Sequence, residues 1–143
     1  MDRKQFLNLA DKVTKYIVYI SYGILLLISG DKLPKVILIP GIGFVLVTLV
    51  RSWLNKPRPY EVSGIPPLID KKTKGKSFPS RHSFSSTIIT MAGLYVCKPF
   101  GIFLALITCF IAYLRVAGGV HFRKDVIAGI VIGILLGSLF WMI

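Results

Sequence analysis

The chain has 143 residues, 54% of them hydrophobic and 17% charged, with a formal net charge of +12. Soluble domains run about 45–50% apolar and about 25% charged, so this composition, with a mean hydropathy of +0.70, argues against a water-soluble domain and for a membrane protein. The positive charge does not make it a nucleic-acid binder, because the basic residues lie between apolar runs and the aromatics lie within them; anionic headgroups or a phosphorylated ligand suit that arrangement better.

In chain order, residues 1–15 form a mixed charged segment with Asp2, Arg3, Lys4, Asp11, Lys12 and Lys15. Five uncharged apolar runs follow, at 16–30, 36–50, 83–97, 99–114 and 126–143. Each is shorter than the ~20 residues that cross a bilayer, but flanking lysines and arginines snorkel and helix ends extend into loops. Backbone in hydrocarbon must bond to itself, and no barrel-like alternation occurs, so the expectation is an all-α bundle of about five transmembrane helices. Pro40, with Gly41 and Gly43, is expected to kink the second helix. Gly129, Gly133 and Gly137 in the last run repeat G-x-x-x-G, a stripe that lets a neighbouring helix approach closely. That stripe is expected to pack the bundle, with a homo-oligomer through helix 126–143 as a further use. Cys97 and Cys109 fall in apolar runs without metal or disulfide spacing and read as small packing residues.

An odd number of spans puts the termini on opposite faces. The N-terminal segment, loop 51–82 and loop 115–125 then share one face. That face carries fifteen of the eighteen lysines and arginines, and the other carries Lys32, Lys35 and Lys98. The positive-inside rule places the richer face in the cytoplasm. Both histidines, His82 and His121, lie there.

With them on that face are Arg51, Arg58, Ser80, Arg81, Arg115 and Asp125. Arginine forks suit phosphate oxygens, and helix N-termini attract anions. His121 and Asp125 are four apart, a spacing that lets a carboxylate fix the imidazole tautomer and free the other nitrogen as nucleophile or base. One histidine can attack phosphorus while the other protonates the leaving oxygen. No metal or other cofactor is expected, since few carboxylates lie near these loops.

These residues resemble the three signature blocks of the type 2 phosphatidic acid phosphatases, which share their site with vanadium haloperoxidases. The family pattern K-x6-R-P, P-S-G-H, S-R-x5-H-x3-D appears here in order. It reads R-x6-R-P from Arg51 to Pro59, P-S-R-H from Pro79 to His82, and R-x5-H-x3-D from Arg115 through His121 to Asp125. The resemblance covers about residues 45–130. It implies that His121 is the nucleophile, Asp125 its orienting partner and His82 the general acid, with Arg51, Arg58, Ser80 and Arg115 around the phosphate; at Arg81 the backbone N–H can serve the phosphate, and the side chain either adds a phosphate contact or faces the headgroups. Arg51 replaces the family lysine, Arg81 the family glycine and Leu114 the family serine. The family core usually has six helices, one more than counted here, and bacterial relatives commonly place the site outside the cytoplasm, opposite to the charge count.

The expectation is therefore one membrane-embedded phosphatase domain over residues 1–143, with its active-site loop at 51–82. It would act in the cell membrane on a lipid phosphate or pyrophosphate: a polyprenyl pyrophosphate, phosphatidate or phosphatidylglycerol phosphate. The alternative is a non-catalytic membrane protein that binds anionic lipid or partner helices.

Overall fold

The computed structural model describes residues 1–143 and is all-helical. Five long helices account for the five apolar runs: α1 (Arg3–Ile28), α2 (Leu33–Leu54), α4 (Arg81–Val96), α5 (Lys98–Ala117) and α6 (Arg123–Gly137). The short α3 (Pro59–Ser63) lies in the loop between α2 and α4, and a last turn, α7 (Leu139–Met142), follows α6. Helix α2 continues through Pro40 and ends at Asn55, whose left-handed backbone (φ 44°) turns the chain out.

By length and composition, three stretches can cross a membrane: the one containing α2, α5, and α6 with α7. The other two long helices depart from the picture of five similar spans, each for a physical reason. Helix α4 has only 16 residues and is rich in serine and threonine. It touches each of the other four long helices, so it meets protein rather than lipid. Its hydroxyls find partners inside the bundle: Thr87 Oγ1 donates to the Ser83 carbonyl at 2.7 Å, Thr90 Oγ1 to the Ser86 carbonyl at 2.8 Å, and the Thr90 and Thr108 hydroxyls pair at 2.9 Å.

Helix α1 has 26 residues and takes in most of the charged segment that the sequence set apart from the first span. Asp2 and Gln5 close a reciprocal capping box at its start, with bonds of 2.7 and 3.0 Å. Its buried residues are Leu7, Asp11, Thr14, Val18, Ser21 and Leu25, alternately four and three apart. That is one continuous face, and it carries a carboxylate.

The glycine stripe packs α6 onto α4. A Cβ on Gly129 would lie 2.5 Å from the Ser80 carbonyl oxygen, and one on Gly133 would lie 2.7 Å from the Thr87 Cβ. Gly137 sits equally close to Met91. This is the packing role expected of the stripe. The glycine face of α6 is thus filled by α4 of the same chain. Outward apolar residues such as Leu27, Leu106, Ile127 and Leu135 remain exposed, as a lipid-facing surface requires.

One end of the bundle gathers the three segments that span counting placed together. Asn8 of α1 donates through Nδ2 to the Leu68 carbonyl and accepts from the Asp70 N–H, both at 2.9 Å. The Leu68 and Ile69 N–H groups donate to the Gly118 carbonyl at 2.9 and 3.2 Å. Ile69 is buried with Leu7, Leu114 and Val120 in a small core under the loop, each such side chain worth about 1.5–3 kcal/mol. The apolar stretch 65–69 thus braces the loop through Ile69, while Ile65 stays exposed. At the opposite end Lys32 donates to the Tyr95 carbonyl at 2.9 Å.

Candidate active site

The loop after α2 is folded around two arginines. Arg51, in the last turn of α2, donates through Nε and Nη2 to the Lys76 carbonyl at 3.0 and 2.6 Å. Arg58 donates to three carbonyls: Gly75 (2.9 Å), Val120 (3.2 Å) and Lys76 (3.4 Å). Lys76 holds a left-handed backbone, φ 55°, and its carbonyl serves both guanidinium groups. Gly75 has φ +69°, and a Cβ there would lie 2.2 Å from Asn55 Oδ1, so a side chain at this position would be strained. Glu61 fastens the turn: its Oε2 accepts from the N–H groups of Arg58 and Gly75 at 2.6 and 2.9 Å. These bonds hold the Glu61 carboxyl below the usual carboxylate range.

In the third block His121 lies just ahead of α6, and Asp125 sits in the helix's first turn. Asp125 Oδ2 accepts from the Phe122 N–H at 2.8 Å and from the Ser77 hydroxyl at 2.5 Å, and lies 3.5 Å from His121 Nδ1. The carboxylate therefore caps its own helix and faces the imidazole, leaving His121 Nε2 as the nitrogen free to react. Both residues are fully enclosed, at 2% and 0% exposure. Burial, opposed by Asp125 but reinforced by Arg115 and Arg58, lowers the His121 pKa to about 4. The ring is neutral at pH 7, the form in which an imidazole can act as a nucleophile.

Arg115, 1% exposed, donates through Nη1 to Asp11 Oδ1 at 2.8 Å. Its Nε and Nη2 are buried without any partner. Such unpaired donors are costly, and a pair on one guanidinium edge matches two oxygens of a phosphate. Of the arginines, this one has the clearest unsatisfied capacity.

The second block divides. Ser80 is buried, caps α4 by accepting from the Ser83 N–H at 3.3 Å, and donates its hydroxyl to Ser83 Oγ at 3.1 Å. The Ser80 N–H donates to the Asp125 carbonyl at 2.9 Å, tying the start of α4 to the start of α6. Arg81 turns the other way, toward Thr48 (3.4 Å) and over the Phe44 ring (5.1 Å). His82 lines a cavity of about 180 Å³ beside it. The charged and titratable groups that bear on His82 include Arg115, Lys15, Lys71 and His121.

Several residues of this end were not singled out from the sequence. Ser77 holds Asp125. Asp11, with Lys15 3.0 Å from its other oxygen, holds Arg115. Lys71 is half-buried, and burial, followed by Arg115, Arg58, Lys15 and Arg51, lowers its pKa to about 8. Only Asp11 left a sequence signal, as a carboxylate on the otherwise buried face of α1.

The chain resembles known proteins over most of its length. The profile of the PAP2 superfamily matches residues 33–143. The chain is 27% identical over 137 residues to the undecaprenyl-diphosphatase BcrC of Bacillus subtilis (strain 168), a match covering 90% of this chain and 70% of that protein. Its fold is similar to that of Aquifex aeolicus LpxE, with a TM-score of 0.77 at 24% identity over 98% of this chain and 93% of that one. It is similar also to a transmembrane PAP2-type phosphatidylglycerolphosphate phosphatase from Bacillus subtilis, with a TM-score of 0.69 at 21% identity over 97% and 81% of the two chains. At these identities the two solved structures speak for the fold.

Proposed function

The chain belongs to the PAP2 superfamily and is a membrane lipid phosphatase, and from that premise we propose that it hydrolyses a phosphate monoester or diphosphate headgroup through a phosphohistidine on His121. His121 Nε2 attacks phosphorus as the bond to the leaving oxygen breaks. His82 gives that oxygen its proton and then takes one from the water that cleaves the phosphorus–nitrogen bond. Asp125 orients the ring and balances its charge. Arg115 binds two phosphate oxygens, with Arg51 and Arg58 supplying positive potential from behind the loop carbonyls and Ser80 and Arg81 lying at the mouth of α4.

The observation that carries this reading is the buried Arg115 edge with no partner, next to a neutral, carboxylate-backed imidazole. The relatives' printed activities, on undecaprenyl diphosphate and phosphatidylglycerol phosphate, support a lipid substrate. The fifteen-to-three charge asymmetry supports a cell-membrane protein with the site on the cytoplasmic face.

The test is phosphate release in detergent from a panel of lipid phosphates with EDTA present. Wild type is expected to turn over and His121→Ala to be inactive. Equal release by the two refutes the nucleophile, and loss of wild-type activity in EDTA refutes the metal-independent mechanism. Protection of a cysteine placed in residues 71–76 from a membrane-impermeant thiol reagent in intact cells tests the orientation, and labelling overturns it.

A further inference from the structure

Beside His82 lies a cavity that attack on phosphorus does not use. It opens between α1, α2, α4 and α5, and its walls include Val18, Phe44 and Ile111. At its rim stand two cations from different helices, Lys15 of α1 and Arg81 of α4, with His82 in the same lining. Neither cation is idle by accident of exposure. Asp11 holds Lys15 at 3.0 Å, while the Phe44 ring and Thr48 hold Arg81.

The structure thus has two groups of cations near the histidines, and they differ in build. One is closed, at Arg115 and His121. The other is open, between Lys15 and Arg81, and continues into an apolar cavity. A lipid diphosphate carries two phosphates, one for each group of cations, whereas the leaving group of a lipid monophosphate is an uncharged alcohol.

We propose that Lys15, together with Arg81, binds the lipid-linked phosphate of a diphosphate substrate and sets a preference for lipid diphosphates over lipid monophosphates. This deepens the phosphatase reading and rests on it. The bond from the terminal phosphorus to the bridging oxygen breaks as the bond to His121 Nε2 forms. The leaving group is the lipid monophosphate; its freed oxygen takes the His82 proton, and the two cations neutralise the charge it carries away. The apolar walls receive the first carbons of the chain.

The experiment compares kcat/KM for farnesyl diphosphate and farnesyl monophosphate, using the full chain in detergent. Wild type prefers the diphosphate. Lys15→Met lowers the diphosphate value about tenfold or more, the loss of one charge-assisted contact; the selectivity ratio collapses accordingly, and Lys15→Arg restores it. An equal loss on both substrates overturns the proposal, because Lys15 would then act only through Asp11 and Arg115. No loss on either overturns it as well. A readout independent of Lys15 variants uses His121→Ala: farnesyl diphosphate raises its unfolding temperature more than the monophosphate at equal concentration, and equal shifts refute the second phosphate position. Wild type that releases phosphate from neither lipid refutes the phosphatase reading itself and this proposal with it.

Discussion

Removing the Asp11 carboxylate is the sharpest perturbation of the arginine site that leaves the signature blocks untouched. Asp11 and Arg115 are 2.8 Å apart, and they are 5% and 1% exposed. Arg115 already has two nitrogens without partners, so Asp11→Ala leaves its whole guanidinium buried and unpaired. Breaking a buried pair from one side costs about 3–5 kcal/mol. For a chain near this size each kcal/mol lowers the unfolding temperature by about 2–4 °C, so a fall of about 10 °C is expected. Asp11→Asn keeps an acceptor and should lose less. Orthovanadate, a tetrahedral anion, then separates a structural defect from an electrostatic one. With a carboxylate gone beside the anion site, vanadate binds the variant more tightly, so its stabilising shift exceeds that in wild type. The measurement is thermal unfolding in detergent with and without vanadate. An alanine variant that unfolds within about 2 °C of wild type, or one that vanadate stabilises no more than wild type, refutes the reasoning.

Other substitutions probe the supports of the site. Ser77→Ala removes the 2.5 Å bond to Asp125; a hydrogen bond to a charged group is worth about 1.5–3 kcal/mol, so kcat should fall at least tenfold with KM little changed. A KM effect alone would contradict the positioning role. Gly129→Ala puts a methyl 2.5 Å from the Ser80 carbonyl oxygen. Overpacking of this kind costs about 1–3 kcal/mol and pushes α6 from α4, so both unfolding temperature and activity should drop; an unchanged protein would contradict the close approach. The His121 pKa is about 4 in the fold against 6.5 for an ordinary histidine. The folded chain therefore binds fewer protons than the unfolded chain between those values. This stability is present above pH 6.5 and is lost as pH falls through about 4, by about 3 kcal/mol. Comparing acid unfolding of wild type and His121→Gln isolates it, and parallel curves would contradict the shift.

Much of this was readable in the sequence because membrane proteins leave the chain few choices. Five apolar runs gave five helices, and parity alone brought His82, His121 and the arginines to one end. The glycine spacing foretold tight packing but not its partner, since nothing in 126–143 says that α4 fills that face. Helix α4 itself was harder to read: Ser83, Thr87 and Thr90 lower its hydropathy because it faces protein on all sides. Asp11 and Lys15 looked like ordinary charges of an N-terminal segment. Their role depends on α1 continuing unbroken past the apolar run, and only the buried i, i+3, i+4 face containing Asp11 hinted at it. Ser77 and Glu61 act through loop contacts with residues 48 and 14 positions away, which no local pattern encodes. Arg81 stands where the family pattern has glycine, so the motif left its side chain open, and packing over Phe44 brings it to the neighbouring cavity.

Helix α1 lies outside the span that matches the superfamily profile, yet it supplies the counterion of Arg115 and one rim of the cavity beside His82. The site is therefore built jointly by α1 and by the profile-matched span, with Lys15 facing the same cavity as Arg81 and His82. The reacting groups belong to α4, α6 and their loops, while α1 contributes Asp11 behind Arg115 and Lys15 beside the cavity. A foreign first helix grafted onto residues 33–143 would therefore remove the Arg115 counterion and one side of the cavity together.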